Sequence, residues 1–138
     1  MTRVIQTVEE FAYLVAAHGQ GEADPRDIEA TGELWTRVIT QRPELRIVVA
    51  RNRTIPRSVV ERLAADKDAS VRDAIARRRA TPWQVLERLA KDADSGVRLA
   101  VAYNTSAPRR VLEILSRDTW HEVAAKAEGR LREGSFSD

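Results

Sequence analysis

Apolar residues recur along this chain in narrow stripes at helical spacing, and the stripes themselves recur. Val59, Val60 and Leu63, then Val85, Leu86 and Leu89, then Val111, Leu112 and Leu115 fall at i, i+1 and i+4, one flank of a helix. Each trio follows a proline, and Pro56, Pro82 and Pro108 are evenly spaced with no insertion between them. A second set of stripes, Leu45/Val48/Val49, Val71/Ala74/Ile75 and Val97/Ala100/Val101, keeps the same step. Ala50, Ala76 and Ala102 follow these stripes and are small enough for close helix approach. Paired stripes at a constant period predict an all-α stack of repeats, each made of two short helices. Helices of about ten residues are marginal alone in water, so each is expected to exist because its neighbours bury its stripe. The full repeats are read at 45–70, 71–96 and 97–122.

The flanks extend this pattern. Val8, Phe11, Leu14 and Val15 predict an N-terminal helix opened by a capping box in Thr7-Val8-Glu9-Glu10 and closed by Gly19 and Gly21. Residues 20–30 are polar and read as a loop. Leu34, Trp35, Val38 and Ile39 match the second helix of a degenerate leading repeat, closed by Arg42-Pro43-Glu44, so 1–44 is an N-terminal helix and half repeat. Residues 123–138 read as a truncated capping repeat with Lys126 and Arg130 pointing outward and a tail, 134–138, that frays. The whole, 1–138, is read as a single helical-repeat domain. Inside each repeat, Asn52 and Asn104 occupy the turn where a left-handed residue would end the first helix, with Arg78 at that place in the middle repeat. Proline then opens the second helix, with Thr81 as an N-cap before Pro82. Asp66, Asp92 and Asp118 end the second helices, and Asp68, Asp94 or Ser95 can cap the next first helix.

The run Val97-Arg98-Leu99-Ala100-Val101-Ala102-Tyr103-Asn104, followed by Pro108, Leu112, Leu115 and Asp118, resembles the variant leucine-rich repeat family. The resemblance covers 45–131. It implies a right-handed α-solenoid similar to HEAT and armadillo repeats, in which one helix of each pair is either α or 3₁₀. The founding type of that family carries a cysteine-rich iron–sulfur module, a function that does not carry over to a chain with no cysteine. Arg78 in place of Asn is a departure from the family pattern. The layout as a whole also resembles small bacterial repeat proteins found beside polymorphic toxins, which implies an immunity-type binding role.

Composition narrows the functional classes. The chain has 138 residues, 43% of them hydrophobic, and no apolar run approaches the length needed to span a bilayer. The first residues lack the apolar core of a signal peptide, and the expectation is a cytoplasmic protein without membrane attachment. Without cysteine there is no thiol catalysis and no Cys-ligated metal. Lys and Arg number 23 against 21 Asp and Glu, an almost even balance, so only the distribution of charge can select a partner.

Candidate chemistry is sparse. His18 and His121 lie far apart in sequence without partners at ligand or triad spacing, and Glu9/Glu10 and Asp66/Asp68 are explained by capping. No phosphate-binding glycine loop, GxSxG or HExxH is present. No catalytic residue, cofactor or metal is expected, and the expected activity is binding. The turns between first and second helices carry Arg51, Arg53 and Arg57, then Arg77, Arg78 and Arg79, then Tyr103, Arg109 and Arg110, which stacking would align along one edge. Asp66, Asp68, Asp92, Asp94 and Asp118 would line the opposite edge. The helix dipole accounts for Arg51 and Arg77 at helix C-termini but not for Arg57, Arg109 and Arg110 in first turns. The basic edge is therefore either a partner-binding surface or a solvated face. Trp83, among arginines, is either an interface anchor or a packing residue across a repeat joint. Trp35 is assigned to the core, Trp120 to a seal on the last repeat, and Ile114 to an exposed apolar contact. The leading expectation is a protein-binding scaffold with an acidic partner; the alternative is nucleic-acid binding through the arginine edge, which the even charge balance disfavours.

Overall fold

The computed structural model describes residues 2–138 and is mostly helical, with 61% of the chain in helix and one two-stranded sheet. Nine α-helices lie among the described residues. The chain gathers into two compact units, one reaching Leu63 and the other spanning Ala64–Asp138. None of the helices among the described residues is long and apolar enough to cross a membrane.

The first unit opens with β1 (Arg3–Val4) and α1 (Val8–Ala16). Thr7 caps α1 by accepting from the Glu10 N–H at 3.1 Å, and the Glu10 carboxylate reaches back to the Gln6 N–H at 3.0 Å. This reciprocal pair is the predicted capping box, displaced by one residue at its return bond. Val8, Phe11 and Leu14 are buried, while Val15 is half-buried. Gly19 and Gly21 follow, both at φ +90, a conformation that side chains with a Cβ rarely adopt.

The segment after them is not the plain loop that its polarity suggests. Pro25–Asp27 forms a 3₁₀ turn capped by Asp24, and β2 (Ile28–Glu29) pairs in parallel with β1. Pro25 and Ile28 are buried. Two apolar residues among charges are too few to set a period, so they give no periodic signal.

Thr31 caps α2 (Gly32–Gln41), which buries Leu34, Trp35, Val38 and Ile39. The Trp35 ring meets Phe11 edge to face, with centroids 5.1 Å apart. A 3₁₀ turn at Pro43–Leu45 leads into α3 (Arg46–Arg51), and α4 (Arg57–Ala64) buries Val59, Val60 and Leu63.

The second unit contains α5 (Ala69–Ala76), α6 (Trp83–Leu89), α7 (Ser95–Tyr103), α8 (Arg109–Leu115) and α9 (His121–Glu133). Helices α5, α7 and α9 pack in succession, α6 packs on α8, and α9 closes against both α7 and α8. The predicted stripes are buried throughout, from Val71, Ala74 and Ile75 to Val111, Leu112 and Leu115. Ala76 and Ala102 are fully buried. Asp68 and Asp94 cap α5 and α7 as expected, accepting from the Ser70 and Val97 N–H groups.

Three local expectations are corrected. Asn52 and Asn104 are not left-handed: both are extended, at φ −70 and −69, and no non-glycine residue among those described has positive φ. Pro82 and Pro108 are themselves the extended N-cap residues of α6 and α8, and Thr81 instead donates its hydroxyl to the Ile75 carbonyl at 2.8 Å. Arg130 does not point outward: it is 5% exposed.

Candidate interaction surface

The second unit is held at its turns by side chains that answer the exposed carbonyls of helix C-termini. The last carbonyls of any α-helix lack an internal partner. Asn104 Nδ2 donates to Ala76 O at 2.7 Å and Arg78 O at 2.8 Å, and its Oδ1 accepts from the Ser106 N–H. At the corresponding place in the next layer, Arg130 Nη1 donates to Ala102 O at 2.9 Å and Asn104 O at 2.7 Å. These bonds bring the turn after α5, the turn after α7 and the end of α9 together.

At the other ends of the helices a second device recurs. Arg72 donates to both carboxylate oxygens of Asp92 at 2.8 and 3.1 Å and to Asp66 O at 2.8 Å. Arg98, at the corresponding place in α7, does the same with Asp118 at 2.6 and 3.2 Å and with Asp92 O at 2.7 Å. The Asp92 and Asp118 side chains are 9% and 6% exposed. Burial alone would raise their carboxyls, but the arginine bonds, a backbone N–H and nearby positive charge outweigh it and hold both below the ordinary 3.8. The anticipated acidic edge is thus partly a set of internal ties.

On the turn edge, most predicted cations are already paired. Arg77 bonds Asp73 and Arg109 bonds Glu113, each one helical turn away. Arg110 bonds Glu87 at 2.9 Å, and its guanidinium lies 4.6 Å from the centre of the Trp83 ring. Glutamates therefore account for Arg109 and Arg110 in a first turn, where the dipole alone disfavours them. Trp83 remains 40% exposed, and Tyr103 is 59% exposed beneath the Lys126 ammonium at 4.4 Å. Arg79 is exposed and has no ion pair among the described residues. Arg78 is half-buried, and burial lowers its pKa. Ile114 is half-buried, less available than its sequence position suggests, and Trp120 is 38% exposed.

The first unit treats its arginines in the same way. Arg53 pairs with Asp27, Arg57 with Glu61, and Arg51 stays exposed. Asn52 Nδ2 donates to Pro25 O and Ile28 O, both at 2.8 Å. An open depression of about 360 Å³ lies beside it, lined by Val15, His18, Asp24, Pro25, Arg26, Val48 and Arg51. Bonds from Arg26 hold the Asp24 carboxyl well below the usual carboxylate range.

Sequence reasoning missed the Arg72–Asp92 and Arg98–Asp118 ties and the buried Arg130. A signal for the ties exists, because an Arg after each apolar helix opener and an Asp after each second helix both recur at the step of the prolines. Nothing distinguishes Arg130 in sequence except that it stands as far beyond Asn104 as Asn104 stands beyond Arg78. Among the described residues, no group of three or more His, Asp or Glu could hold a metal ion.

Fold and surface together describe a mostly helical protein with a turn edge of exposed aromatics set among paired charges. Comparison with protein-family models, with curated proteins and with solved structures finds no match in any of the three.

Proposed function

We propose that this chain is a non-catalytic protein-binding scaffold: a right-handed α-solenoid of short helix pairs, of the variant leucine-rich repeat kind, whose second unit presents the binding edge. The observation that carries the reading is the Trp83–Arg110–Glu87 cluster, with the Arg110 guanidinium 4.6 Å from the ring centre and 2.9 Å from the carboxylate. A half-exposed Trp whose neighbours are held in place offers apolar area at small ordering cost, which is the character of an interface hot spot. Tyr103 under Lys126 repeats the arrangement. The role that fits is a cytoplasmic immunity-type protein of bacterial origin that occupies an acidic toxin partner. Nucleic-acid binding is the second reading, supported by the exposed Arg51 and Arg79, which have no ion pair among the described residues. It is disfavoured because phosphate would have to compete with carboxylates for most of the other arginines.

The test is capture from nuclease-treated lysate of the source cells with tagged wild-type protein. A second bait carries Arg77→Glu, Arg79→Glu and Trp83→Ala, with the half-buried Arg78 left unchanged. The scaffold reading expects a defined protein on the first bait and its loss from the second. Recovery of nucleic acid alone from untreated lysate, abolished by nuclease, would replace it with the second reading.

A further inference from the structure

Arg130 is an unusual residue to bury. Its guanidinium is covered, its Nη2 has no hydrogen-bond partner, and no carboxylate lies within ion-pair distance among the described residues. What covers it is partly the segment that follows. Gly134, left-handed at φ 67, ends α9, and the Ser135 N–H returns to Arg130 O at 2.9 Å, so the chain turns back across the unit. Ser135 O then accepts from Arg130 Nε at 2.9 Å. Further on, the Ser137 N–H donates to Ala107 O at 3.2 Å beside Pro108, and half-buried Phe136 lies 5.9 Å from the Arg109 guanidinium. The tail expected to fray is instead laid along the turn edge.

The hold is slight. One isolated backbone bridge, Pro108 with Ser137, and one half-buried ring carry residues 136 and 137. A buried cation without an acid is costly, and its unused N–H is an unfilled place for an acceptor.

We propose that residues 135–137 occupy a docking strip along Ala107 and Pro108, and that an extended acidic segment of a partner protein, bearing an aromatic residue, takes their place. This rests on the binding-scaffold reading and names what the partner presents. The occupant follows from what the strip offers: a carbonyl acceptor at Ala107, an aromatic seat against Arg109, and the unmatched positive charge of Arg130. The chain's own segment supplies the N–H and the ring but leaves Arg130 Nη2 unmet. A partner carboxylate there adds the charge-assisted bond that makes exchange favourable.

The test uses the full chain and a fluorescein-labelled peptide, acetyl-Gly-Asp-Phe-Ser-Gly, which carries a carboxylate where the chain has Ser135, followed by anisotropy. Ser137→Pro removes the N–H that holds the strip closed, and Phe136→Ala removes the ring; either raises the fraction of open strip. The expected result is binding about tenfold tighter to each variant than to the unaltered protein, in proportion to that fraction. It is also expected to weaken when the peptide's Asp is replaced by Asn, and when Arg109→Gln, an exposed change, is added to Ser137→Pro. Equal binding to open and closed proteins, no binding to either, or indifference to the Asp replacement would overturn the proposal. None of these outcomes touches the Trp83 surface, whose altered bait tests the scaffold reading separately.

Discussion

Asn52 in the first unit and Asn104 in the second are the same residue performing the same task on different material. Each donates its two amide hydrogens to two backbone carbonyls, and its oxygen accepts from an N–H two residues on. Asn104 bonds Ala76 O and Arg78 O, at the end of a regular helix in the neighbouring layer. Asn52 bonds Pro25 O and Ile28 O, in a short 3₁₀ turn and strand that follow no period. The side chain thus ties two carbonyls together whatever backbone presents them, two residues apart at Ala76 and Arg78 and three apart at Pro25 and Ile28. A repeat device can then hold an irregular segment, and the first unit can depart from the pattern without losing its internal ties.

The sharpest way to separate the two units is through their cores. Trp35→Ala removes a fully buried ring and its contact with Phe11 and should cost about 4 kcal/mol. Hydrogen exchange should show the loss of protection first in α1 and α2. Leu89→Ala, the matching change in the second unit, should cost about 3 kcal/mol and expose α6 and α8 first.

The Arg–Asp ties belong to the second unit and should rank next. Arg72→Met leaves the nearly enclosed Asp92 carboxylate without its partner, and a loss of about 3 kcal/mol is expected in urea unfolding. The double variant Arg72→Met/Asp92→Leu should recover much of it, because the isolated charge and not the missing pair carries the penalty. The same ties set an acid limit. Asp92 and Asp118 titrate lower in the folded chain than their ordinary 3.8, so their contribution is fully present above that value. It fades as pH falls through the depressed folded values. Unfolding followed between about pH 5 and pH 2 should steepen below about 4 in the unaltered protein, and less so in the double variant.

The asparagines test the comparison itself. Asn52→Ala and Asn104→Ala each remove two donors to carbonyls and the acceptor of one N–H; Ile28 O keeps the Thr54 hydroxyl and Arg78 O keeps the Thr81 N–H, and each change should cost about 2 kcal/mol. Equal losses would show that the device has the same worth on regular and irregular backbone. A much smaller loss at Asn52 would show that water takes its place in the first unit. The smallest effect is expected at the exposed i, i+4 pair of Arg109 with Glu113, where Arg109→Ala should change stability by about 0.3 kcal/mol.

Periodic parts of this molecule are legible in its sequence and singular parts are not. Val71, Ile75, Leu86 and Leu112 announce their burial through spacing, and Asp68 and Asp94 their capping through position. Trp35 reads as core because its neighbours keep the stripe. The β1–β2 pair is hidden because two residues per strand leave no alternation to read. Thr81 misleads because a hydroxyl before a helix suits an N-cap equally well until the geometry shows Pro82 in that place. Arg130 misleads most, since a charged residue near a chain end is ordinarily solvated. On the candidate surface, sequence locates Trp83, Tyr103 and the arginines, and the partners of Arg77 and Arg109 stand at i, i+4 spacing, but Glu87 meets Arg110 only through packing of α6 on α8.

On the proposed function, the second unit binds a protein through Trp83 and its ordered surroundings and not through phosphate-seeking arginines. The most direct measurement is the affinity for the captured partner at about 50 and about 200 mM salt, with unaltered protein and with Trp83→Ala. The expected affinity changes little with salt and falls at least about tenfold on loss of the ring. An affinity that collapses over that salt range and ignores Trp83 would contradict it.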